Sequence, residues 1–88
     1  MSYKTRIETK LATLSPASLE VIDESENHRG HGGYREGGET HFRVRIVAEA
    51  FRGQSRLARH RTVNALLAAE LAERIHALAI EARAPGEA

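Results

Sequence analysis

The clearest structural signal in this chain is "HFRVRIVAEAF", His41 to Phe51, where apolar and polar side chains alternate. Phe42, Val44, Ile46 and Ala48 fall on one side, and Arg43, Arg45 and Glu49 on the other. Successive side chains in a strand point to opposite faces, so this pattern predicts a strand over 41–51 with one buried face. By the same rule His41 belongs on the polar side and is expected to be exposed.

The flanking segments supply the other elements. "LEVID" (19–23) reads as a short strand, and residues 24–39, dense in glycine and charge, read as a loop joining it to the first. Upstream, Ile7, Leu11 and Leu14 recur at helical spacing over 3–14 before "SPAS" ends the run. Downstream, "RGQS" makes a turn and Ser55 is placed to cap a helix from 56 to about 73, with Val63, Leu66, Leu67 and Leu71 as its apolar stripe. "IHALAIEA" (75–82) is a final strand carrying His76, Leu78 and Ile80 on one face, and 83–88 is a polar tail.

The order is α-β-β-α-β. Strands joined by the glycine loop pair antiparallel, and a right-handed crossover through the long helix sets the third strand parallel to the second. The expectation is a single domain over 1–88, an α+β two-layer sandwich with a three-stranded mixed sheet covered on one face by helices.

Composition narrows the chemistry. The 88 residues carry a formal charge of +1, five histidines and no cysteine. No disulfide forms within the chain and no thiolate from it can bind a metal. No apolar run reaches the length of a membrane span. The basic start "MSYKTRIETKL" reads as the first helix rather than a transit peptide, so a cytoplasmic protein with no membrane partner is expected. Residues 42–61 hold six arginines against Glu49 alone, a pattern open to a phosphate or acidic partner and equally to a solvated face.

The histidines divide by topology. His28 and His31 lie in "ENHRGHGGYREGG" (26–38), which ends where the second strand begins. A parallel third strand begins at the same end, so His76 shares it. His60 is about 18 Å away along the long helix and belongs to a different region. On spacing alone, His76 reads first as a histidine capping the edge of the core and His60 as a packing residue. His28-x-x-His31 is too sparse for a structural zinc site, which takes four protein ligands. The glycines lack the lysine and following helix of a phosphate loop. Ser25 near His28 has no orienting third group, so nothing reads as an enzyme. "SRLARHR" sets Arg56, Arg59 and Arg61 at the start of a helix, where phosphate is a possible ligand, but no aromatic platform accompanies them.

Four matches, in order, bring a family into view: T-H-F-R-V (40–44), F-x-G-x-S (Phe51, Gly53, Ser55), R-H-R (Arg59 to Arg61) and I-H-A-L-A-I (75–80). With them the chain from residue 19 onward resembles the BolA family, whose fold is similar to class II KH domains. The resemblance implies a non-enzymatic role in iron–sulfur metabolism. Such proteins pair with a monothiol glutaredoxin bearing Cys-Gly-Phe-Ser and share with it and glutathione a [2Fe–2S] cluster that neither holds tightly alone. Carried onto this chain, the family's C-terminal histidine falls on His76. The loop ligand falls on His28 through E-S-x-x-H, with His31 as the alternative. Imidazole in place of thiolate makes a cluster less negative and raises its potential, as in Rieske centres. The resemblance also implies a second role, DNA-binding transcription regulation affecting cell shape and stress response, which would use Arg56, Arg59 and Arg61. Alone, the chain is expected to be a monomer or weak homodimer.

Overall fold

In the computed structural model, residues 2–25 and 38–87 are described. They form α1 (Tyr3–Leu11) with a 3-10 turn at Ala12–Leu14, β1 (Ser18–Asp23), β2 (His41–Val47), a 3-10 turn at Glu49–Phe51, α2 (Arg56–Leu66), α3 (Ala68–Glu73) and β3 (Ala77–Arg83). The sheet order is β1-β2-β3, with β1 antiparallel and β3 parallel to β2. The register pairs Val21 with Val44, and Val44 with Ile80. This is the α+β arrangement expected from the sequence.

Alternation in β2 holds where it matters. Phe42, Val44, Ile46 and Ala48 are all buried and meet Ile7 and Leu11 of α1 and Val63 of α2 in one core. Ser2 and Ser55 each accept a hydrogen bond from the backbone N–H three residues on, capping α1 and α2.

Two expectations are corrected. The strand stops at Val47 instead of running to Phe51, because Glu49–Phe51 tightens into a 3-10 turn. Continued alternation would have pointed Phe51 outward; the turn brings it wholly into the core. The long helix is broken at Leu67, which has φ −103° and ψ 17°. Beyond the break, α3 presents Glu70 to α1, where the fully buried carboxylate receives Lys10 Nζ at 2.8 Å and Arg6 Nη2 at 2.8 Å.

Candidate functional site

The N-terminal ends of β2 and β3 lie side by side, and both ends of the 26–37 segment attach there. At its start, Ser25 N–H donates to Asp23 Oδ1 at 2.9 Å, and Glu24 N–H donates to the His41 carbonyl at 2.7 Å. At its finish, the Arg74 guanidinium donates to the Gly38 carbonyl, with Nη2 at 2.6 Å. Gly38 has φ +73°, a left-handed conformation that glycine adopts without a Cβ penalty. Glu39 follows at φ 59°, and its carboxylate accepts from Tyr3 N–H at 2.8 Å, tying the approach to β2 to the start of α1. His28 and His31 lie outside the described residues.

Thr40 is the junction of this end. Its carbonyl accepts from His76 N–H at 2.7 Å and Ala77 N–H at 3.2 Å. Its own N–H donates to Ser25 Oγ at 2.8 Å, and its hydroxyl lies 2.9 Å from His41 Nδ1. His76 is exposed, and its ring centroid is 5.4 Å from that of His41 at a tilt of 52°. A groove of about 290 Å³ runs beside them, lined by Glu24, His41, Phe42, Arg43, Leu78 and neighbouring alanines.

Both strand histidines depart from the alternation rule. His41, expected to be exposed, is only 5% exposed, packed by Thr40, Ser25 and the His76 ring. Alternation assigns a face; it does not say what covers that face. His76, expected inside the strand on the helix side, precedes β3 and lies in the open. Parity applies within the hydrogen-bonded ladder, and His76 enters it only through the shared Thr40 carbonyl. The site residues that sequence reasoning missed are therefore Ser25, Thr40 and His41. The one available signal was a polar Thr-His pair directly before an apolar strand.

Among the described residues no three His, Cys, Asp or Glu side chains gather closely enough for a metal ion. The imidazoles described at this end are those of exposed His76 and buried His41, with the carboxylates of Asp23, Glu24 and Glu39 nearby.

The arginine-rich region occupies the opposite end. Arg59 donates to the Ala82 carbonyl at 3.1 Å and grips Glu87 through two nitrogens, at 2.6 and 2.9 Å. Hydrogen bonds from Arg59 and from the Ala84 N–H hold the Glu87 carboxyl down to about 2. Arg56, Arg59, His60 and Arg83 line a cavity of about 520 Å³ there. The seven residues of β3, at about 3.3 Å each, put it on the order of 20 Å from His76. Arg43 and Arg45 are likewise committed, bridging Glu24, Glu20 and Glu81 across the open face of the sheet. Arg56 and Arg61 are exposed. No described helix is long and apolar enough to cross a membrane.

A mixed three-stranded sheet with helices on one face and a histidine at the entry to its last strand defines a class, and comparison with known proteins names it. The family described as BolA-like protein matches residues 11–87, and the chain belongs to that family. It is 54% identical over 89 residues to a Sinorhizobium protein known as "Uncharacterized protein in cobS 5'region", covering 99% of this chain and 96% of that one. It is 50% identical to human BolA-like protein 1, covering 92% of this chain and 57% of the human one. It is 43% identical to the Escherichia coli protein named DNA-binding transcriptional regulator BolA, covering 91% and 73%. SufE-like protein 1 of Arabidopsis thaliana is 47% identical over 93% of this chain, which spans 24% of the plant protein. The BolA domain of Arabidopsis SufE1 superposes with a TM-score of 0.89 at 46% identity, covering 100% of this chain and 98% of that domain.

Proposed function

We propose that this chain is a non-enzymatic adaptor of iron–sulfur metabolism that binds a monothiol glutaredoxin and supplies histidine to a shared [2Fe–2S] cluster. His76, at the entry to β3, is one ligand, and His28, or else His31, is the ligand from the loop. The observation that carries the reading is the setting of His76. Its ring is exposed while its backbone is anchored to Thr40, at the end of the sheet where the histidine-bearing segment leaves at Ser25 and returns at Gly38.

The donor set fits such a shared site. A chain without cysteine offers imidazole and carboxylate but no thiolate, so any thiolate has to come from a partner. An exposed imidazole on an anchored backbone, at the end of the sheet where the histidine-bearing segment departs and returns, suits half of a site. When bound, the cluster would supply one-electron redox chemistry and a transferable iron–sulfur unit; the chain's own part is to hold His76 outward and present the loop. The occurrence of this domain within a protein named SufE-like supports a place in iron–sulfur metabolism.

The test is to mix the purified chain with a cluster-loaded Cys-Gly-Phe-Ser glutaredoxin and record visible absorbance and circular dichroism. His76→Ala is expected to change the circular dichroism of the mixed complex, and an unchanged spectrum refutes the assignment. His28→Ala and His31→Ala, compared in parallel, identify the loop ligand.

A second reading draws on the Escherichia coli relative's name and on the exposure of Arg56 and Arg61: phosphate contact by the start of α2. Arg59 already serves Glu87, which leaves this reading fewer available charges. It predicts DNA binding that weakens steeply with salt and falls further in Arg56→Ala and Arg61→Ala. No binding at low salt disposes of it.

A further inference from the structure

Among the described residues four polar side chains are buried: Ser25, Thr40, His41 and Glu70. Glu70 is accounted for by its two cations. The other three form one hydrogen-bonded cluster directly beside His76, where valine or phenylalanine could fill the same space without any need for partners. What their bonds fix is the surroundings of one imidazole.

Ser25 Oγ accepts from Thr40 N–H at 2.8 Å and from His41 N–H at 3.2 Å, setting the backbone on which both side chains stand. The Thr40 hydroxyl, 2.9 Å from His41 Nδ1, fixes the rotation of the His41 ring, with the direction of the proton set by the tautomer. That ring is the wall against which the His76 ring lies, at 5.4 Å between centroids. Thr40 also accepts the His76 N–H through its carbonyl, so one residue controls both the main chain of His76 and, through His41, its side chain. An exposed histidine on an extended backbone otherwise samples several rotamers, and a ligand held in one of them is already organised for its metal.

We propose that His41, oriented by Thr40 on the Ser25 anchor, is a positioning residue that holds the His76 imidazole in the orientation needed for coordination. The inference rests on the adaptor reading for its purpose. Its geometry is tested separately, in the chain alone. Partners outside a ligand shell that orient a metal-bound histidine are worth about 10- to 100-fold in metal affinity, and an indirect ring contact belongs at the lower end, about tenfold.

The experiment is nuclear magnetic resonance of the chain without partner, reading the His76 ring resonances and the His41–His76 ring cross-peaks. Thr40→Val keeps the side chain's shape but removes the hydroxyl. It is expected to shift the His76 ring signals and weaken the cross-peaks, while Thr40→Ser restores both. His41→Phe keeps a ring but loses the nitrogen that meets Thr40, and is also expected to shift His76. His60→Phe, at the far end of the sheet, is the control that leaves His76 unmoved. In the mixed complex with cluster-loaded glutaredoxin, Thr40→Val is expected to bind about tenfold more weakly and Thr40→Ser as the unmodified chain does.

His76 signals unmoved by both Thr40→Val and His41→Phe overturn the proposal, whatever the cluster spectra show. So does a shift in Thr40→Val that Thr40→Ser fails to reverse, since that would report general loosening rather than loss of the hydroxyl. If the ring coupling behaves as expected but His76→Ala leaves the cluster spectrum unchanged, the adaptor reading falls and the positioning geometry stands.

Discussion

Replacing Glu70 by glutamine tests how the helices are tied together. The Glu70 carboxylate is 0% exposed and receives Lys10 Nζ at 2.8 Å, Arg6 Nη2 at 2.8 Å and Arg6 Nε at 3.0 Å. Burial by itself would raise its pKa; the Lys10 hydrogen bond, a backbone hydrogen bond, the Lys10 charge and the Arg6 hydrogen bond outweigh this and leave it lowered. Glutamine keeps the shape and removes the charge. A hydrogen bond to a charged group contributes about 1.5–3 kcal/mol, and breaking a fully buried ion pair costs about 3–5 kcal/mol. Here the cations are the exposed partners, at 26% for Arg6 and 38% for Lys10, and Arg6 retains Glu73. Both can turn to water, so the net loss is about 2 kcal/mol. In a domain of this size 1 kcal/mol moves Tm by about 4–8 °C, so the expected fall is about 10 °C in calorimetry at neutral pH. A carboxylate whose folded pKa is depressed contributes stability above its unfolded value, about 4.3 for Glu, and loses it as pH falls through the folded value. The gap between the two proteins should therefore close on acidification below that point. A fall in Tm of less than about 3 °C, or a gap that persists unchanged in acid, refutes the reasoning.

Two further outcomes are expected. Gly38→Ala should cost about 1–2 kcal/mol in urea denaturation, because φ +73° disfavours any Cβ, while the nearest neighbours of that Cβ, at 3.5 Å, leave room for it. Glu87 should titrate near 2 when its carboxyl carbon is followed by nuclear magnetic resonance, and Arg59→Ala should return it toward the ordinary range. Because that pKa is depressed, the stabilisation from this contact is complete above the unfolded value of about 4.3 and is lost as pH falls to about 2; a midpoint above about 3.5 in the unmodified chain would refute the grip of Arg59.

The proposed site was legible in sequence only to the level of an end of the sheet. Parallel pairing of β3 with β2 follows from a helix-length connection, and it places His76 at the end where the glycine segment attaches. That is a statement about topology, which period and connection length encode. The environment of each histidine was not legible. His41 and His76 exchange the exposures that alternation gives them, because alternation describes a regular ladder and both stand at its entrance, where Thr40 and Ser25 take over the hydrogen bonding.

The sequence by itself determined the order of elements, the buried face of β2, the Ser55 cap and the lack of thiolate, since each is a local property of spacing or residue type. Only the tertiary structure decided that Glu70 is a buried anchor, that Arg59 is committed to Glu87, and that His41 lies beneath His76. Those pairs are separated by 60 residues for Lys10–Glu70, 28 for Arg59–Glu87 and 35 for His41–His76. No periodicity within one element can bring such residues together; the packing of α3 on α1, of β3 on β2, and of α2 against the end of β3 does.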